Sequence, residues 1–172
     1  MMTSVTNRGA TAHERADALA AEVERITGDL LETLRGCDDV QWRQVTASEQ
    51  WPVGVVAHHV AEVAAFFTGL VAGVVSGKGR GVILSDDEIE QNNARHAAEH
   101  AGVGKREVIA LLDQRGPALA RQIRQLHDGQ LGKIAGVFGG RPLTVGQVLE
   151  LGVVGHFTEH LASIRAAVSE VA

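Results

Sequence analysis

Eight histidines are spread through this chain, and their spacing is where chemistry shows first. A neutral imidazole is the commonest protein ligand for zinc, nickel and related ions. Two histidines at i and i+4 lie on one helix face, where both can grip one ion. The chain offers two such pairs, His96/His100 and His156/His160, and one adjacent pair, His58-His59.

Helical geometry separates these candidates. In the last predicted helix the apolar stripe centres on Phe157; His160 then falls roughly 60° from that centre and His156 roughly 100°, on the same side. Glu159 points nearly the opposite way. In the second helix, with the stripe centred on Val56, His59 lies roughly 60° away and His58 near 200°, facing outward. His96 and His100 lie in NNARHAAEHAG, which has almost no apolar stripe, so both are read as solvated. His59, His156 and His160 are therefore the candidate metal ligands, on two facing helices. Three protein ligands leave a position open for water or substrate, as in a catalytic site. The plainer alternative is a set of interior histidines satisfied by backbone carbonyls, with no metal.

Other motifs are excluded by spacing. HFTEH is not the HExxH of metalloproteases, because Glu159 precedes the second histidine instead of following the first. GKGRG lacks the glycine spacing and the Ser or Thr of a phosphate-binding loop. No GxSxG elbow is present. The single cysteine, Cys37, excludes an internal disulfide and a cysteine-based zinc site, and fits a reducing cytoplasm. Asp38 and Asp39 beside it would raise its pKa, so it is read as a spare structural or surface thiol.

The elements that must position the histidines are helices. Thr11 and Glu14 form a capping box for a first helix whose stripe is Leu19, Val23, Ile26, Leu30 and Leu34, stopped by Gly36. A polar connection carries Trp42 and Trp51. Pro52 opens a second helix running to about Gly77, with Val56, Val60, Val63, Phe67, Leu70 and Val74 inward. Ser85 caps a short polar helix ending near Gly102. A longer one follows from about Gly104 to Leu126, which Gly116-Pro117 should kink or split. The glycine-rich segment from Asp128 to Pro142 reads as a long connection, with Val137-Phe138 at most a brief extended piece. Thr144 and Gln147 then cap the last helix, whose stripe includes Val153, Phe157, Leu161, Ile164 and Val168. Four major helices without convincing strand pairs indicate an all-α antiparallel four-helix bundle with one long connection. The expected organisation is a disordered tail over 1–10 and one bundle domain over 11–172.

Composition narrows the partners. Hydrophobic residues make up 45% and charged ones 22%, an ordinary soluble globular balance, and with 3% aromatics the core must be aliphatic. A formal charge of -5 argues against nucleic acid or an anionic membrane as partner. Residues 53–77 look like a membrane span, yet His58, His59 and Glu62 interrupt them, so a buried amphipathic helix is expected. MMTSVTNRGATAHER lacks the apolar run of a signal peptide. Arginine outnumbers lysine 13 to 3, a bias associated with GC-rich bacterial genomes.

Two blocks, WPVGVVAHHVAEV at 51–63 and GRPLTVGQVLELGVVGHFTEHLASIR at 140–165, resemble the DinB-like (damage-inducible) superfamily of bacterial metal-binding bundles. In that family a histidine follows a Trp-led helix start by eight residues, which selects His59 from Trp51. The last helix supplies an HxxxH pair, matched by His156 and His160. DDEIEQNNARHAAEH is similar to the polar stretch before the family's third helix. The resemblance implies an up-down-down-up bundle, often a homodimer, binding zinc, nickel or a related ion. Some relatives depend on thiols: bacillithiol transferases, and the mycothiol-dependent maleylpyruvate isomerase, whose N-terminal domain is the related part. The isomerase carries a further C-terminal domain, whereas this sequence ends at Ala172, which weighs against isomerase activity itself. In some relatives the first residue of the last-helix pair is acidic; here it is His156.

The leading expectation is a cytoplasmic, metal-dependent S-transferase of a low-molecular-weight thiol, with mycothiol as cosubstrate. Three neutral ligands would leave the ion its full positive charge, to hold a thiol as thiolate and direct it at an electrophile. A metal-dependent hydrolase of a small substrate is the alternative within enzymes. A noncatalytic metal- or ligand-binding bundle with a stress-related role is the alternative outside them. No general base is identifiable in the sequence.

Overall fold

The computed structural model describes residues 12–78 and 82–170. The expected tail, the cap at Thr11 and most of the GKGRG stretch lie outside the described residues. Four long helical stretches carry the core: α1 (Ala12–Gly36), α3 (Val53–Ser76), α5 (Lys105–Arg124), and a last one composed of α7 (Val145–Val148), a π-helical segment (Leu149–Gly155) and α8 (His156–Ser169). α1 packs on α5 and α8, and α3 packs on the same two. Between these run α2 (Asp39–Arg43), α4 (Asp86–Glu99) and α6 (Asp128–Leu131).

The inward stripes form the core. Val23, Ile26, Leu30 and Leu34 of α1, Val108, Leu112, Leu119 and Ile123 of α5, and Phe157, Leu161 and Ile164 of α8 are all buried. α5 passes through Gly116-Pro117 unbroken. A Cβ at Gly116 would lie 2.4 Å from Thr27 Cγ2, so this glycine lets α1 and α5 approach closely. Of the kink or split expected at Gly116-Pro117, the split does not occur. α3 is long and apolar enough to cross a membrane by length and composition alone. Its first stretch, residues 53–61, is buried all round within the protein, which is why its polar interruptions do not follow one stripe.

The expectation of no paired strands is corrected. β1 (Val82–Leu84) pairs in parallel with β2 (Ile134–Phe138), and β2 pairs antiparallel with β3 (Arg141–Thr144). Gly139 and Gly140 turn the hairpin with φ of 52° and 75°, the left-handed pair that a two-residue turn of matching twist requires. The long connection is thus half sheet, and β1 joins it from a distant part of the chain.

Candidate metal centre

α3 and α8 bring His59, His156 and His160 together. His59 Nε2 lies 3.1 Å from His156 Nε2, and His160 Nε2 lies 3.0 Å from the same atom. Four ligands placed tetrahedrally at zinc–nitrogen distance stand about 3.3 Å apart, so this spacing is that of a ligand set. His59 is 9% exposed and His160 7%. Burial first, then the neighbouring imidazoles, lowers the pKa of His59 to about 2. Burial and His160 lower that of His156 to about 4. Both rings are therefore neutral at physiological pH, the form that coordinates metal.

The orientation of His160 comes from a residue that carried no signal in the sequence. Its Nδ1 is 2.8 Å from Glu49 Oε1, and the other oxygen of Glu49 accepts from Ser163 Oγ at 2.6 Å. A carboxylate on Nδ1 fixes the proton there and leaves the Nε2 lone pair facing the cluster, the arrangement usual for metal-bound histidine. Burial pushes the carboxyl of Glu49 up, but hydrogen bonds from Ser163, Thr46 and His160 outweigh it and hold the pKa below the ordinary value. Glu49 is presented by a loop closed on itself: Thr46 N–H donates to the Trp51 carbonyl and Val53 N–H to that of Gln44, both at 2.9 Å. Gln50 takes φ of 59° to complete it. With His160 Nε2 an acceptor, the contacts at His156 Nε2 can share one N–H at best. Lone-pair density is in excess where a cation would be held, so the residues present fit a divalent ion.

The cluster opens into a cavity of about 290 Å³ walled by His59, His156, Val63, Phe66, Phe67, Leu84, Ile89, Asn92, Asn93, Phe138 and Gly152. Leu84 and Phe138 come from the sheet and Ile89, Asn92 and Asn93 from α4, so the unexpected sheet closes the site. A Cβ at Gly152 would stand 2.7 Å from Phe67 Cζ, so glycine there admits the ring that forms one wall. Gly152 lies in the π-helical segment immediately before His156. Such wide turns recur at functional sites because they re-aim the following side chains.

Three other expectations are corrected. His58, read as outward-facing, is 3% exposed, because α4 covers that side of α3. His96 and His100, read as solvated, are half-buried with their rings against His58, at centroid distances of 5.1 Å and 3.9 Å. α4 buries no residue fully, so its docking leaves no apolar stripe to read. The described residues thus contain two groups of three histidines whose ligand atoms lie within 4.8 Å of one another: His59/His156/His160 and His58/His96/His100. Cys37 is buried, its Sγ donating to the Thr33 carbonyl at 3.3 Å. Burial raises its pKa, as expected of an inert thiol.

No curated protein and no solved structure matches the chain. The family model described as "Mycothiol maleylpyruvate isomerase N-terminal domain" matches residues 23–156, most of the chain. His59 and His156 fall within that span, and His160 lies just past its end. On that match, the helical fold and the histidine clusters belong to a member of the mycothiol maleylpyruvate isomerase N-terminal domain family, within the DinB-like superfamily.

Proposed function

We propose that His59, His156 and His160 hold one zinc or nickel ion through Nε2, and that the protein transfers a low-molecular-weight thiol, mycothiol by preference, to a small apolar electrophile. The observation that carries this is the convergence of three Nε2 atoms at the wall of an apolar cavity. A bound divalent ion would supply positive charge that lowers the pKa of a coordinating thiol. The chain's own residues do the rest. Glu49 sets the tautomer of His160 and holds its ring in place. Trp51 meets His59 edge-on, with ring centroids 5.6 Å apart, and limits its rotation. Phe66, Phe67 and Phe138 favour an apolar substrate body, while Asn92 and Asn93 offer polar contacts on one wall. Among the described residues no carboxylate lines this cavity to act as general base, so metal-dependent hydrolysis is kept as the second reading.

The same reading carries a cytoplasmic homodimer and an up-down-down-up arrangement of the four long helical stretches. The test is metal-dependent consumption of mycothiol with a panel of small electrophiles, chlorinated aromatics included. Activity should vanish on chelation and in His160→Ala. Failure across the panel with metal bound would favour a noncatalytic, metal-holding bundle.

A further inference from the structure

We propose that His58, His96 and His100 form a second divalent-metal site that clamps α4 onto α3 beside the first. His58 Nδ1 and His96 Nε2 stand 3.4 Å apart, again close to the spacing of about 3.3 Å between tetrahedral zinc ligands. His100 follows His96 by one helical turn and stacks on His58, and the three rings place their ligand atoms within 4.8 Å of one another. The pattern of the first cluster is repeated around it. Glu62 Oε1 lies 4.0 Å from His58 Nε2, an electrostatic contact that favours the proton on that nitrogen and leaves Nδ1 free toward His96.

The clamp answers a structural question. α4 has no fully buried residue, yet it supplies Ile89, Asn92 and Asn93 to the cavity beside His59. Little apolar burial holds it, so a cross-link through its last turn would set the position of that wall. His96 also meets His59 edge-on at 5.1 Å between centroids, which makes the two clusters neighbours. The second site is the weaker of the two. Arg115 pairs with Glu62 and offsets its charge, and the stacked ring of half-buried His100 must turn to aim its nitrogen at the shared point. Zinc or nickel fits a site of three imidazoles.

The inference does not rest on the first site, and one experiment separates the two. Untagged protein is stripped of metal and titrated with zinc against a chromogenic chelator, with folding checked by circular dichroism. Wild type should take up two equivalents, the second at least tenfold more weakly. His100→Ala and, independently, His96→Ala should lose the weak equivalent, and His160→Ala the tight one. In His160→Ala, added zinc should still slow amide exchange across α4; in His100→Ala it should not. A single equivalent that survives in His100→Ala overturns the second site and leaves the first standing. A single equivalent lost in His100→Ala but kept in His160→Ala supports the second and overturns the first. No uptake at all overturns both.

Discussion

Replacing Glu49 with glutamine keeps the size of the group beside His160 and removes one negative charge. The carboxylate sits 2.8 Å from His160 Nδ1 and its side chain is 12% exposed, so solvent screens it little. Glutamine can still accept from Nδ1–H, so the tautomer survives and only the charge-assisted part of the bond is lost. A hydrogen bond to a charged group contributes about 1.5–3 kcal/mol against about 0.5–1.5 for a neutral one, a difference of about 1–1.5 kcal/mol. That difference grows when His160 Nε2 coordinates a cation, because the Nδ1–H that donates to Glu49 becomes more acidic. Since 1.4 kcal/mol is about tenfold, Glu49→Gln is expected to weaken zinc binding about tenfold. Glu49→Ala, which releases the ring and tautomer as well, should cost about 100-fold, the upper end for such partners. The assay is competition with a zinc-selective chelator at fixed pH, alongside melting of the metal-free variants to separate ligand positioning from folding. An affinity for Glu49→Gln within twofold of wild type would refute the reasoning, since a purely structural Glu49 would change the melt and not the binding.

Three further outcomes follow from packing and charge. Gly152→Ala places a methyl 2.7 Å from Phe67 Cζ, and overpacking of this kind costs about 1–3 kcal/mol, read as a lower melting temperature. Phe157→Ala, at a side chain 1% exposed, should cost about 3–5 kcal/mol in denaturant unfolding. In metal-free protein, burial depresses His59 to about 2, and His58 and His156 to about 4, from an ordinary 6.5. The unfolded chain therefore binds more protons below pH 6.5, so stability is complete above that value and falls as pH drops toward 4. Urea midpoints measured after chelation should be lower at pH 5 than at pH 7.5; equal midpoints would contradict buried neutral histidines.

The sequence by itself determined what repeats along one helix. The stripes of α1, α5 and α8 were legible because a helix buried on one face must alternate steps of three and four. The same periodicity placed His156 and His160 on one edge of the core and His59 on the matching edge of α3. It misplaced His58, because a helical wheel assumes one buried face and α3 is enclosed near its N-terminus by a helix with no apolar stripe. It missed Glu49, whose partner His160 lies 111 residues away, and the strand pairing of Val82 with Gly136. Long-range contacts of that sort leave no periodic trace, since each depends on where two separate segments arrive. The sequence placed His59, His156 and His160 at the core's edge; only the tertiary structure decided which other side chains meet them there, and that His58, His96 and His100 stand beside them.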